Sequence, residues 1–133
     1  MKRALRLVIP LAALLLSGGC GGTAPAPSPA TVRGKVTLNG QPVASGLVVF
    51  TPHPERGGRG KSAYAETGPD GSYSLQLDKA NAIPPGWYRV SLSPAPATSG
   101  FPAKLARPDA SGIEREVHAG KEHVFEFVVE VKE

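Results

Sequence analysis

The chain has 133 residues, of which 41% are hydrophobic, 20% charged and 6% aromatic, and its formal net charge is +4. This length accommodates one domain, and the 16 glycines and 14 prolines favour short segments separated by turns over a helical bundle. The single cysteine excludes an internal disulfide and a zinc-finger set of cysteine ligands.

Residues 1–19 have the pattern of a bacterial export signal. A basic start precedes an apolar run at residues 7–16, and small residues follow. The run is too short to cross a bilayer, because a spanning helix needs roughly 20 apolar residues. The segment Leu-Ser-Gly-Gly-Cys that ends at Cys20 resembles the lipobox of bacterial lipoproteins, whose cysteine is acylated after cleavage. The alternatives are an ordinary cleaved signal followed by a free thiol, or an uncleaved N-terminal anchor.

Removal of residues 1–19 leaves 12 Lys and Arg against 11 Asp and Glu. The mature chain is therefore nearly neutral, which argues against a nucleic acid as its partner. Residues 20–30 are rich in Gly and Pro and predict an extended tether. We expect an export signal over 1–19, a lipidated cysteine and tether over 20–30, and a folded domain over 31–133.

The first half of that domain predicts a series of strands and turns. Residues 31–38 alternate apolar and polar side chains, as in a half-buried strand, and Asn39-Gly40 favours a tight hairpin. Residues 47–50 form a continuous apolar run, which predicts a central strand buried on both faces. Residues 62–66 predict the next strand.

The second half continues the pattern. Alternation predicts strands over residues 72–77 and 87–93, and in the second of these Tyr88, Val90 and Leu92 share the inward face. Residues 113–117 and 124–131 predict two last strands, joined as a hairpin. No window sustains a helical period, so we predict an all-β fold: a small antiparallel β-sandwich of about seven strands.

Four segments combine strand patterns with Asn-Gly, Asp-Gly and Pro-Gly turns: VRGKVTLNGQPVA at 32–44, VVFTP at 48–52, TGPDGSYSL at 67–75 and PGWYRV at 85–90. Together they resemble the carboxypeptidase regulatory-like domain, over roughly residues 31–131. Residues 101–105 and 111–113 resemble a subgroup of short bacterial lipoproteins that consist of this domain alone. The resemblance implies a transthyretin-like sandwich without catalytic residues, because the zinc ligands of carboxypeptidases lie in a separate domain.

Candidate chemistry is sparse. Glu114, Glu116, His118 and His123 could ligate a divalent metal, but a solvated strand face with histidines at its end explains them as well. Asp70 lies in a Pro-Asp-Gly turn without the further oxygen ligands that calcium needs. The serines stand in no recognisable triad context. We therefore expect no enzyme activity, no catalytic residue, no metal site and no cofactor.

Contacts with a partner are expected on the loops and on exposed aromatic residues. Arg56 and Arg59 lie in the loop after the third strand and could meet an acidic partner. Trp87, with Tyr64 and Tyr88, could form an aromatic platform, although Tyr88 falls on the inward face. The long loop over residues 94–108 is a further candidate for partner contacts.

These observations predict a lipid-anchored, non-enzymatic β-sandwich of the cell envelope, facing the periplasm or the cell surface. It would contact the membrane through Cys20 and act as an interaction or structural module for an envelope protein or glycan. The alternative is an envelope lipoprotein that binds a carbohydrate or a small ligand. A metal-binding module built on His118 and His123 is a third hypothesis.

Overall fold

The computed structural model describes residues 28–96, 98 and 100–132. These residues form nine strands and two short 3₁₀ helices in two sheets that face each other as a sandwich, which confirms the predicted all-β fold. The strands are β1 (Thr31–Leu38), β2 (Gln41–Pro42), β3 (Leu47–Pro52), β4 (Ala63–Glu66), β5 (Ser72–Ser74), β6 (Gly86–Ser93), β7 (Ile113–Val117), β8 (Glu122–Val124) and β9 (Phe127–Val129). The helices are Pro54–Arg56 and Ala103–Ala106. No helix in this part of the chain is long or apolar enough to span a membrane.

β1 lies at the centre of the five-stranded sheet. On one edge it pairs antiparallel with β5 and, through the predicted hairpin, with β2. Asn39 and Gly40 of this hairpin both have positive φ, 48° and 81°, as a tight two-residue turn requires. On its other edge β1 pairs in parallel with β8 and then with β9.

The C-terminal strand corrects two details of the sequence prediction. Residues 118–121 connect β7 in one sheet to β8 in the other, so the last two strands do not form a hairpin. Because the chain changes sheets here, its last strand runs beside β1 in the same direction and pairs in parallel. This strand is also divided into β8 and β9 at Phe125 and Glu126, which raises the strand count above seven.

The second sheet has the order β4-β3-β6-β7, with every neighbouring pair antiparallel. Val48 and Phe50 point into the core from β3, but Leu47 is 40% exposed and Val49 is half-buried. The prediction that residues 47–50 are buried on both faces is therefore wrong. The outer face of β3 is partly open to solvent. The apolar run at residues 47–50 thus correctly indicates a strand, but not a strand that is buried on both faces.

The core lies between the sheets and is centred on Phe50, which is fully buried. Its ring centroid lies 5.9 Å from that of Tyr88, 6.1 Å from that of Phe125 and 6.3 Å from that of Phe127. Because Phe125 and Phe127 belong to the opposite sheet, these rings join the two layers. The predicted inward faces of β6 and of the last strand are both confirmed.

Contacts with the domain include residues before the predicted boundary at residue 31. Ala30, which the sequence assigns to the tether, is buried and bridges to Ile83. The carbonyl of Ser28 accepts a hydrogen bond from the backbone N–H of Gly120. Cys20, the predicted lipidation site, lies outside the described residues.

Gly34 of β1 allows the last strand to approach closely. The Phe125 carbonyl lies beneath Gly34 and accepts a hydrogen bond of 2.6 Å from the hydroxyl of Tyr73. An ideal Cβ on Gly34 would lie only 1.9 Å from that carbonyl oxygen. A side chain at this position would therefore push the last strand away from β1.

We predict that Gly34→Ala lowers the free energy of unfolding by about 3 kcal/mol, as expected for a substitution that overpacks a core. Chemical denaturation of the purified domain measures this change. Gly68→Ala is the matched control, because a Cβ there meets its nearest atom at 3.5 Å, and it should change stability little. Equal stability of the two variants would contradict the proposed role of Gly34.

Candidate functional site

A tight loop after β3 begins at His53, whose side chain is buried, with 3% exposure. The N–H of His53 donates to the carbonyl of Trp87, and the carbonyl of His53 accepts from the N–H groups of Arg56 and Gly58. A Cβ on Gly58 would lie 2.4 Å from the His53 nitrogen, so the chain folds back here as only glycine permits. This fold places Arg56 over the first residues of β6.

His53 is bound to Glu114 of β7 across the outer surface of the sheet. The two side chains meet through Nε2 and Oε1 at 2.7 Å, while Nδ1 of the buried ring has no hydrogen-bond partner among the described residues. The hydrogen bond with His53, aided by the charges of His53, Arg56 and Arg89, holds the pKa of Glu114 below its ordinary value. Glu114 thus remains an anion that ties the loop to β7.

Arg56 is held between Glu114 and the only tryptophan of the chain. Its guanidinium carbon lies 4.2 Å from the centre of the Trp87 ring, and its Nη2 lies 3.3 Å from Oε2 of Glu114. A planar guanidinium stacked in this way keeps other N–H donors available at its edge. Arg56 is therefore oriented without being fully neutralised.

A shallow pocket of about 210 Å³ opens beside this stack. Its lining residues come from the end of β3, the following loop and the start of β6: Pro52, Arg56, Gly57, Gly58, Arg59, Pro84, Pro85, Gly86, Trp87 and Tyr88. Arg59 forms no ion pair within the described part of the chain. The structure thus brings together Arg56, Arg59 and Trp87, the three predicted contact residues, which we call the Arg–Trp pocket.

The sequence does not indicate that His53 and Glu114 belong to this site. Its pattern instead makes Glu114 a candidate metal ligand with Glu116, His118 and His123. The His53–Glu114 bond joins residues 61 positions apart, and it depends on how β3, β6 and β7 are aligned. No local motif specifies that alignment.

The four candidate metal ligands do not come together as a metal site in the described part of the chain. His123 Nε2 accepts a hydrogen bond of 2.9 Å from the backbone N–H of His118, and Glu114 is occupied by His53. Among the residues that the structure describes, no three histidine, cysteine or carboxylate side chains cluster as metal ligands would. Asp70 accepts hydrogen bonds from the backbone and the hydroxyl of Ser72, which lower its pKa and stabilise the turn.

The three candidate aromatic residues do not form one platform. Tyr88 is buried and donates from its hydroxyl to the carbonyl of Pro84, and this burial raises its pKa. Tyr64 is 58% exposed on β4, where it lies opposite Val49, which in turn pairs with Ser91. Ser91 is four residues from Trp87 along β6, so Tyr64 lies well away from the Arg–Trp pocket.

Comparison with known proteins does not identify a family for this site: no protein-family model and no curated protein matches the chain. The function is therefore argued from the chemistry of the side chains themselves.

We predict that Glu114→Gln destabilises the domain in a pH-dependent manner. Because the pKa of Glu114 is lowered in the folded state, the unfolded chain binds more protons as the pH falls below the ordinary value of 4.5. The stabilisation by the carboxylate is thus fully present above pH 4.5 and is lost as the pH falls through the folded pKa. The wild type should exceed Glu114→Gln in stability at pH 7, and the two should converge below pH 4.5.

Denaturant unfolding at pH 7, 5, 4 and 3 measures this difference. Glu66→Gln, at an exposed position on β4, is the control and should follow the wild type at pH 7. A gap between wild type and Glu114→Gln that stays constant down to pH 3 would contradict the assigned role of the carboxylate.

Proposed function

We propose that this chain is a lipid-anchored, non-enzymatic module of the cell envelope that binds an acidic partner at the Arg–Trp pocket. The observation that carries the proposal is the position of Arg56, stacked on Trp87 with Arg59 lining the same pocket. The lipid anchor rests on the sequence pattern that ends at Cys20. Two acyl chains would hold such a protein stably on a membrane.

We also propose that the domain is a carboxypeptidase regulatory-like domain. The two-sheet sandwich supports this assignment, as does the Asn39-Gly40 hairpin between the first two strands. The turn over residues 67–71 also supports it, since it leads directly into β5, as the resemblance implies. A domain of this kind supplies rigid strands and contact loops and no active site.

The charges of the pocket favour an acidic group over a neutral one. Arg56 and His53 both contact the carboxylate of Glu114, and Arg89 lies 3.7 Å from the carboxylate of Glu55. Both nearby carboxylates therefore already have cationic partners. Arg59 has no carboxylate partner in the described residues. An incoming carboxylate would therefore meet one oriented guanidinium and one uncompensated guanidinium.

The same geometry disfavours Trp87 as a stacking surface for a sugar. Arg56 already covers one face of the indole ring at 4.2 Å. A sugar ring would have to displace this cation or stack on the other face of Trp87, a residue that is itself half-buried. The carbohydrate-binding alternative thus has less support at this position than an acidic partner.

The pocket lies at the end of the sandwich where the chain enters the domain. Gly86, next to Trp87, pairs with Val117, and the turn that follows Val117 contacts Ser28. A tether anchored at Cys20 would therefore hold the Arg–Trp pocket on the membrane-facing side. The proposed acidic partner is one that lies close to that membrane.

We predict that an octaglutamate peptide changes the fluorescence of Trp87, because it is the only tryptophan in the chain and stands beside the bound carboxylates. The double variant Arg56→Gln/Arg59→Gln should weaken this binding at least about tenfold, and added salt should weaken binding to the wild type. Lys35→Gln, which removes one positive charge from the outer face of the other sheet, is the control.

Equal affinity of the double variant and Lys35→Gln would refute the acidic-partner proposal. A salt-independent response to a neutral N-acetylglucosamine tetramer, retained in the double variant, would favour the carbohydrate alternative instead.

For the anchor, we predict that the full chain made in a bacterial host partitions into detergent and carries acyl mass on Cys20, whereas Cys20→Ala remains unprocessed. Intact mass spectrometry and detergent phase separation measure both properties. Cleavage of both proteins to the same water-soluble mass would contradict lipidation.

A further inference from the structure

A groove of about 690 Å³ opens between the edges of the two sheets. The C-terminal strand forms one wall, and β7 and the 3₁₀ helix Ala103–Ala106 contribute to the other. Its apolar lining includes Leu92, Leu105, Ile113, Phe127 and Val131. Arg115 points into the groove from the inner face of β7, whereas Glu114, the ion-pair partner of Arg56, lies on the outer face of the same strand.

The wall formed by β9 presents a strand edge that is unpaired within the described residues. The carbonyl of Val129 accepts from Asn39, and the N–H of Val131 donates to the Asn39 side chain, so both residues direct their backbone groups towards β1. Val128 and Glu130 alternate with them and therefore direct their backbone groups into the groove. No other strand of the described residues pairs with this edge. Such an edge is a template for strand addition.

Arg115 places a positive charge beside that edge. Its guanidinium carbon lies 5.3 Å from the ring centre of Phe127 and 5.8 Å from that of Phe125, and Nη1 donates to the carbonyl of Glu114. No carboxylate among the described residues forms an ion pair with it. Aromatic rings and a carbonyl thus orient this cation without neutralising it.

On the outer face of the sheet, the same edge carries negative charge. Val128 is 64% exposed on the outer face, and it lies between the exposed residues Glu126 and Glu130. A strand added to β9 would place alternate side chains on these two surfaces. Its inward side chains would meet Arg115 and the apolar lining, and its outward side chains would lie beside the two glutamates.

We propose that this groove binds an extended segment of a partner protein, which pairs with β9 as an additional strand of the five-stranded sheet. The segment carries an acidic side chain directed at Arg115 and basic side chains four positions apart, beside Glu126 and Glu130. Backbone hydrogen bonds supply affinity, and the charges supply selectivity and register.

A second copy of this chain fits the edge less well. Antiparallel pairing of two β9 strands centred on Val128 would place Glu126 of each copy opposite Glu130 of the other. Like charges directly opposite each other destabilise a sheet pair. The charge pattern thus favours a partner whose outward residues are basic.

The probe is the fluorescein-labelled heptapeptide Val-Lys-Asp-Thr-Val-Lys-Val, whose two lysines have the spacing of Glu126 and Glu130. Fluorescence anisotropy with the whole folded domain should show saturable binding. Two further peptides carry backbone N-methyl groups at the even or at the odd positions and keep every side chain. At least one of these should lose binding at least about tenfold, because it lacks the N–H groups that face β9.

Two protein variants and one control variant test the site itself. Arg115→Gln should weaken binding of the heptapeptide about tenfold, and Lys121→Gln, at the other end of the sandwich, should leave it unchanged. Val128→Pro should abolish binding yet still fold, because the N–H that it removes faces away from β1. Thermal denaturation verifies the fold of each variant, and Arg115→Gln keeps the proposal testable if Val128→Pro does not fold.

Several results would overturn the proposal. Binding of both N-methylated peptides as tightly as the parent would exclude strand addition, and equal affinity of Arg115→Gln and Lys121→Gln would exclude the charged contact. A dimer in analytical ultracentrifugation that Val128→Pro dissociates would identify a second copy as the occupant. Displacement of the heptapeptide by dodecanoate, with tight dodecanoate binding that needs Arg115, would identify a fatty-acid site instead.

Discussion

The close approach of the Phe125 carbonyl to Gly34 is the constraint on which the arrangement of this domain depends. It allows the last strand to pair with β1 on both sides of its interruption, and it places the carbonyl where the Tyr73 hydroxyl can bind it. The ring of Phe125 then packs against Phe50 of the other sheet. The same ring, with that of Phe127, orients Arg115 beside the groove between the edges of the two sheets. The absence of a side chain at Gly34 thus makes possible the strand pairing, the packing of the core and the position of Arg115 beside the groove.

Side-chain alternation correctly predicts which face of β1 and β6 is buried. It does not predict which strands pair with them or in which direction. The period-two patterns of β1 and β6 placed their inward residues in the core, because burial on one face imposes that period. The same period leaves the identity and direction of the pairing strand undetermined. The parallel pairing of the last strand therefore could not be derived from its pattern. Nor could its interruption, since Phe125 and Phe127 keep the alternation on either side of Glu126.

The candidate site was predictable residue by residue, but its assembly was not. The sequence indicates Arg56 and Arg59 as loop cations and Trp87 as a candidate aromatic contact residue. Their proximity depends on the tight loop at His53 and on the β6–β7 alignment that brings Glu114 to it. These are long-range effects, which composition and spacing do not encode locally. The lack of a carboxylate partner for Arg115 among the described residues is likewise a property of the folded chain, which no local pattern indicates.

The position of β1 also sets the order in which the domain can form. β1 is the first of the described strands to be synthesised, yet its Val36 pairs with Phe127 and its Leu38 with Val129, about ninety residues later. Closing so long a loop costs chain entropy before any native contact compensates for it, and folds dominated by such contacts fold slowly. The nascent chain can complete its five-stranded sheet only after residue 129 has emerged.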